Sequence, residues 1–369
     1  MKEIEAQQHQ EQEAQHEQEV QVSKTLRRVV LTVNFIMMFL GCTASPLLLR
    51  LYFVRGGHRI WLSSWIQTAG FPIVFIPLII SYYHRRKTDK HAKPYLITQN
   101  LFLSSLGLGI LIGIDNLLYA YGVSYLPIST SSILISTQLG FTALFAFFIV
   151  KQKFTACSIN AVALLSFGAL ILGLNSDGDR PEGESKGEYF EGFFMTLGAA
   201  ILYAFVLPVV ELTYTKANQA ITYTLVMEMQ LVMGVFATAF CTVGMFIAKD
   251  FQVIPREGKA FGLGEFNYYQ VLVWSAILWQ FCFLGIIGAI HYTSALVTGI
   301  FLMVLIPVTE VFAIIFFHEE FNSGKGISLA LFLWGFVSYF YGELKAKKKK
   351  KKKQQQLAVS VLELPKGTA

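Results

Sequence analysis

Long apolar stretches recur from one end of this chain to the other, separated by short polar breaks. A helix that crosses a bilayer needs about 20 mostly apolar residues. The pattern places such helices at 29–49, 60–82, 97–121, 127–150, 157–174, 190–213, 221–248, 268–290, 294–317 and 326–343. The sizeable breaks, His84–Pro94, Asn175–Tyr189 and Lys249–Asn267, are too short for a globular domain. Whatever the protein does must therefore happen within or beside a membrane. The residue balance points the same way: 54% of residues are hydrophobic and 15% charged, where soluble chains carry about a quarter charged. The expected fold is an all-α integral membrane protein of ten transmembrane helices.

The formal net charge of +6 resides in tails and short loops. Lys347–Lys353 is an unbroken basic run after the last apolar stretch. Such a run suits anionic lipid headgroups at a cytosolic surface and is a weak argument for nucleic acid, which is not expected as a partner. Met1–Val22 is rich in Gln and Glu without an apolar core; it is not a signal peptide, and its composition predicts disorder. Ten spans put both termini on one side. A cytosolic placement collects Arg85, Arg86, Lys87, Lys151, Lys153 and the polybasic tail inside, as the positive-inside bias requires. The cluster Arg50, Arg55 and Arg59 falls outside, as does the acidic segment Asp177–Glu188. Cys42, Cys157, Cys241 and Cys282 lie far apart in apolar stretches; they show no metal spacing and no disulfide framework, and read as small buried hydrophobes.

The two halves of the chain resemble each other. A shift of 167 residues pairs Thr142 with Thr309, Phe145 with Phe312, Phe154 with Phe321 and Gly168 with Gly335 without gaps. That register lays helices four and five over nine and ten, which implies two five-helix repeats. An odd number of spans forces the copies into opposite orientations, and inverted repeats place a transport site near the midplane between them. The expected organisation is a disordered cytoplasmic tail at 1–26, repeats at 27–175 and 190–343 joined by an acidic extracellular linker at 176–189, and a polybasic cytoplasmic tail at 344–369.

Ionisable groups inside a membrane are costly and usually serve a function or meet a partner. Glu211 lies near a helix end, within reach of Lys216, and Asp115 near the outer end of its own helix. Glu228 lies about two turns into the stretch 221–248, and Glu310 deep in helix nine opposite Ala143 of the other repeat. Glu228 and Gln230 point about 200° apart on a helix, so Glu228 is favoured over Gln230. Among uncharged groups, Gln138 follows a run of hydroxyl residues that suits helix packing, while a buried amide needs a partner. Trp65, Gln67, Asn116 and Tyr119 add flat aromatic surface and amide edges, whereas Trp61 reads as an interfacial anchor. Apolar walls with few convergent polar groups suit a small heteroaromatic ligand. His318-Glu319 has no second histidine at position 322, so no zinc signature is present. No phosphate-cradling Gly-Lys-Ser/Thr loop and no Gly-x-Ser-x-Gly turn occurs either, so neither an enzyme nor a cofactor is expected.

Several segments resemble the plant purine permeases of the drug/metabolite transporter superfamily. They are Pro46–Phe53, Arg59–Pro72, Tyr125–Ser132, Thr137-Gln138, Phe141–Phe147, Ile221–Gln230, Pro307–Glu310 and Trp334–Gly342. In order they cover about residues 27–343, and His291–Thr298 departs from the small-residue pattern expected there. The resemblance implies ten helices as two inverted five-helix repeats and proton-coupled import across the plasma membrane. It implies adenine, cytokinins or related nucleobase derivatives as substrates, with pyridine or alkaloid compounds as the alternative. On this reading the ligand stacks on Trp65 or Tyr119, is edge-bonded by Gln67, Asn116 and Gln138, and meets Glu228. Glu228 and Glu310 are the candidates for proton coupling. A channel or an intramembrane enzyme is the rival of a different class.

Overall fold

The computed structural model describes residues 2–88, 90, 93–150, 156–174, 185–217, 219–293, 295–318 and 322–362. Regular structure among them is helical throughout. The helices are α1 (Lys2–Val54), α2 (Ile60–Ala69), α3 (Phe75–Thr88), α4 (Gln99–Tyr125), α5 (Ile128–Ser136), α6 (Gln138–Val150) and α7 (Ala156–Leu174). They continue with α8 (Lys186–Thr215), α9 (Tyr223–Ala248), α10 (Asp250–Ala260), α11 (Glu265–Tyr292), α12 (Ala295–Phe317) and α13 (Ser323–Leu362). Seven segments among the described residues are helical, long and apolar enough to cross a membrane: Thr25–Val54, Ile60–Lys87, Gln99–Tyr125, Thr130–Ile149, Lys186–Thr215, Tyr223–Ala248 and Glu265–Tyr292. Large apolar side chains such as Phe148, Phe194, Phe246, Ile247 and Trp334 stand exposed on the helices, as lipid-facing residues must. The linker 176–189 lies largely outside the described residues.

Two expected helices are interrupted, each for a local reason. Between α2 and α3 the chain tightens into a 3₁₀ turn, Phe71–Val74. Pro72 lacks the N–H that a continuous helix would use. The stretch 127–150 breaks at Thr137, where both the backbone N–H and the hydroxyl donate to Leu134 O, at 3.0 and 2.7 Å. A side chain that bonds the preceding turn competes with the helical ladder, and Gln138 therefore opens α6.

Other expectations need correcting. The Gln/Glu-rich N-terminus, expected to be disordered, continues α1 back to Lys2, and α13 carries the polybasic run on to Leu362. Gln, Glu, Ala and Lys are good helix formers, and a formed span removes the nucleation cost of extending it. The break after residue 248 holds a helix, α10, which starts where Lys249 takes a left-handed φ of 59°. Glu257 anchors α10 by accepting from Tyr52 and Tyr268 hydroxyls at 2.6 and 3.1 Å. Cys42 and Cys282, expected to be free, form a disulfide with Cα atoms 5.1 Å apart. Their separation of 240 residues hides the pairing in the sequence; the close approach of α1 and α11 creates it. Cys157 and Cys241 are free.

The chain forms two compact units, and neither is a sequence half. The first comprises Met1–Gly57, Trp65–Gly113 and Ala217–Leu302. Here α1 packs along α11 through Gly41 and Gly285, small residues that let helix backbones approach. Val74, Met227 and Leu284 form an apolar layer between α9, α11 and the 3₁₀ turn. The second comprises His58–Ser64, Ile114–Lys216 and Met303–Ala369. In it α7 packs on α13, with Ser328 Oγ donating to Gly168 O at 2.9 Å. Leu126, Ile133, Leu134, Tyr189, Phe193 and Phe332 close its core.

Candidate functional site

In the first unit, Trp65 is half-buried on α2 and its indole N–H donates to Thr242 Oγ1 on α9 at 3.0 Å. Gln67, two residues nearer the 3₁₀ turn, is fully buried. Glu228 is buried on α9, and its two carboxylate oxygens have different surroundings. Oε2 accepts from the backbone N–H groups of Leu96 and Ile97 at 2.7 and 2.8 Å, just ahead of α4. Oε1 is buried with no hydrogen-bond partner among the described residues. Thr224, on the same face of α9, shares a 2.9 Å hydrogen bond with Ser81, and Gln219 Nε2 donates to Leu96 O at 3.2 Å. Two donors on Oε2 thus fix the carboxylate against the start of α4 and leave Oε1 available.

Trp65 and Glu228 do not meet. Trp65 touches α9 at Thr242, fourteen residues from Glu228 along an unbroken helix. At 1.5 Å rise per residue this is about 21 Å, more than a small heterocycle spans. Between them lie two glutamines at the same packing level, Gln230 on α9 and Gln280 on α11, both buried. The sequence favours Glu228 over Gln230 on helical geometry and does not single out Gln280. The signal for Gln280 was an amide within the long apolar stretch 268–290.

In the second unit, Asn116 is buried on α4 and Tyr119, one turn later, is half-buried. Asp115 beside them is buried, and its Oδ1 has no hydrogen-bond partner among the described residues. Gln138 is buried at the first position of α6. Glu310 lies within α12, but its side chain falls outside the described residues. The expected residues therefore divide: Trp65, Gln67 and Glu228 in one unit, Asn116, Tyr119 and Gln138 in the other. Among the described residues no cluster of His, Cys, Asp and Glu is arranged to hold a metal ion.

Comparison with known proteins sets this geometry in a family. A family model described as purine nucleobase transmembrane transport matches residues 29–349. Purine permease 3 of Arabidopsis thaliana is 50% identical over 322 residues, covering 86% of this chain and 92% of that protein. Purine permease 2 of the same plant is 49% identical over 336 residues, covering 87% and 94%. A solved chain described only as a crystal structure of a protein superposes with a TM-score of 0.51 at 12% identity, over 84% of this chain and 95% of that one. At that identity the likeness concerns the fold alone.

Proposed function

This chain belongs to the purine permease family, and from that premise we propose that it imports purine nucleobases, cytokinins or related heterocycles by proton symport. Membership makes it a transporter and not an enzyme. The observation that supports the reading best is that each unit buries amides in otherwise apolar helices, Gln67 in the first and Asn116 and Gln138 in the second. Amides carry both donors and acceptors, as the edge of a purine does, and few polar groups in apolar walls are what a small planar ligand needs. Trp65 and Tyr119 supply aromatic surface. Glu228 Oε1 is the oxygen that would take the coupling proton, with Glu310 the second carboxylate for that role.

In this reading ten spans form two inverted five-helix repeats that alternate access to the site. Both termini are cytosolic in the plasma membrane, and the Lys347–Lys353 run lies against anionic lipid. Orientation is directly testable: an impermeant thiol reagent should label a cysteine introduced at Gly183 in intact cells and spare one introduced at Lys90. The opposite pattern would invert the topology.

The coupling test uses uptake of radiolabelled adenine by the full chain in a host lacking its own purine uptake. Accumulation should collapse with a protonophore and fall with rising external pH, by up to about tenfold per pH unit for one coupled proton. Uptake indifferent to both leaves facilitated diffusion or a channel. Competition by cytokinins, pyridines and alkaloids then separates the purine reading from the alkaloid alternative.

A further inference from the structure

Three short runs of side chains in the first unit face one another. On the α2 side the run is Gly70 with Phe71 and Val74 of the 3₁₀ turn, which are three residues apart and so share a face of that turn. On α9, Met227, Gln230 and Gly234 share a face at i, i+3, i+7, and on α11 Ala276, Gln280 and Leu284 do so at i, i+4, i+8. Contacts fix how these faces meet. A Cβ on Gly234 would lie 2.7 Å from Phe71 Cβ, and one on Gly70 would strike Ala276 O and lie 2.9 Å from Gln280 Cβ. One turn further on, Val74, Met227 and Leu284 form the next layer. Gln230 is bracketed by Met227 and Gly234, and Gln280 by Ala276 and Leu284. Both glutamines therefore lie about one helical turn from the Val74 layer, on the side of Gly70 and Phe71.

One polar atom of each is left without a partner. Gln230 is 4% exposed and Gln280 1% exposed, yet Gln230 Oε1 and Gln280 Nε2 have no hydrogen-bond partner among the described residues. Neither completes the other. A buried amide atom left unbonded costs about 1–3 kcal/mol, so two at one level imply a third party that bonds both. One is an acceptor and the other a donor, and together they match a ligand edge that offers a donor beside an acceptor.

We propose that Gln230 and Gln280 form the edge-reading pair of the substrate site, with Gln230 Oε1 accepting from an exocyclic amino group and Gln280 Nε2 donating to a ring nitrogen. The proposal rests on the transport reading above and deepens it: it assigns the two side chains that read the amino-bearing edge of the ligand. The level lies between Trp65 and Glu228, so the ligand passes or rests where neither of those side chains alone could hold it.

The experiment compares radiolabelled adenine with unsubstituted purine, which keeps the ring nitrogens and lacks the amino group. Half-saturation and inhibition constants are measured for the full chain and normalised to its abundance in the membrane. Gln230→Leu should raise the half-saturation concentration for adenine about tenfold, the loss of one buried hydrogen bond, and leave inhibition by purine unchanged. Gln280→Leu should weaken both compounds alike. Gln230→Met and Gln280→Met, closer in shape, replace any Leu variant that fails to reach the membrane and should show the same two patterns. Unchanged constants, or an equal loss of both compounds in both variants, would overturn the pair. A wild-type chain that transports neither compound would overturn the transport reading itself, and is distinguished because it fails before any substitution is made.

Discussion

Gly285→Val should remove most of the folded protein from the membrane. A Cβ at position 285 would lie 2.6 Å from Met38 N, 2.7 Å from Asn34 O and 2.8 Å from Met38 Cβ. Two of these are backbone atoms of α1, which cannot step aside as a flexible side chain can. Relief requires α1 and α11 to separate. The same seam holds the Cys42–Cys282 disulfide and the Gly41 contact, and Asn34 of α1 also accepts from Tyr223 of α9 at 3.0 Å, so separation disturbs several contacts together. Overpacking costs about 1–3 kcal/mol where neighbours can relax. With backbone in the way the upper end applies, and about 3 kcal/mol shifts the folding equilibrium by more than about 100-fold. Gly107→Ala is the control: nothing lies within 4 Å of a Cβ there, and alanine gains up to about 1 kcal/mol of helix propensity. Thermal melting in detergent and membrane abundance should fall sharply for Gly285→Val and hold for Gly107→Ala. Equal behaviour of the two variants would mean that the seam tolerates separation.

What could be read from the sequence follows from the range of each physical signal. Apolar stretches are local, so the helical character of the chain and the positions of Gln67, Asn116, Gln138 and Glu228 inside helices were legible. Breaks such as Thr137 were not, because a hydroxyl that bonds its own preceding turn leaves the apolar pattern intact. Pairings between distant helices were invisible: Cys42 with Cys282, and Trp65 with Thr242, depend on which helices pack together. The latter contact separates Trp65 from Glu228 along α9, although composition placed both in one ligand list. Gln230 was discounted because a helix points it away from Glu228. The geometry was sound, but it assumed that the site lay on the Glu228 side. The compact units cut across the sequence halves for a similar reason, since burial follows neighbours in space and not order along the chain.

Glu228→Gln should abolish concentrative uptake while the protein still folds and exchanges substrate. The two oxygens of Glu228 make this substitution unusually clean. Oε2 is held by the Leu96 and Ile97 amides at 2.7 and 2.8 Å, and the carbonyl oxygen of glutamine can accept both of those bonds. The new NH₂ group then takes the place of Oε1, the buried oxygen without a partner among the described residues. Shape and anchoring persist, while the negative charge beside Arg85 and the capacity to gain and lose a proton disappear. If Oε1 carries the coupling proton, accumulation against a gradient should drop by at least about tenfold, equivalent to about 1.4 kcal/mol of driving force, with exchange of preloaded substrate retained. Glu228→Ala provides the contrast, since it also removes the acceptor for two backbone N–H groups. Leaving buried donors unpaired costs about 1–3 kcal/mol each, so abundance should fall for alanine and not for glutamine. A Glu228→Gln chain that concentrates adenine with wild-type pH dependence would leave Glu228 as an anchor for the start of α4. Glu310 would then be the carboxylate to test for coupling.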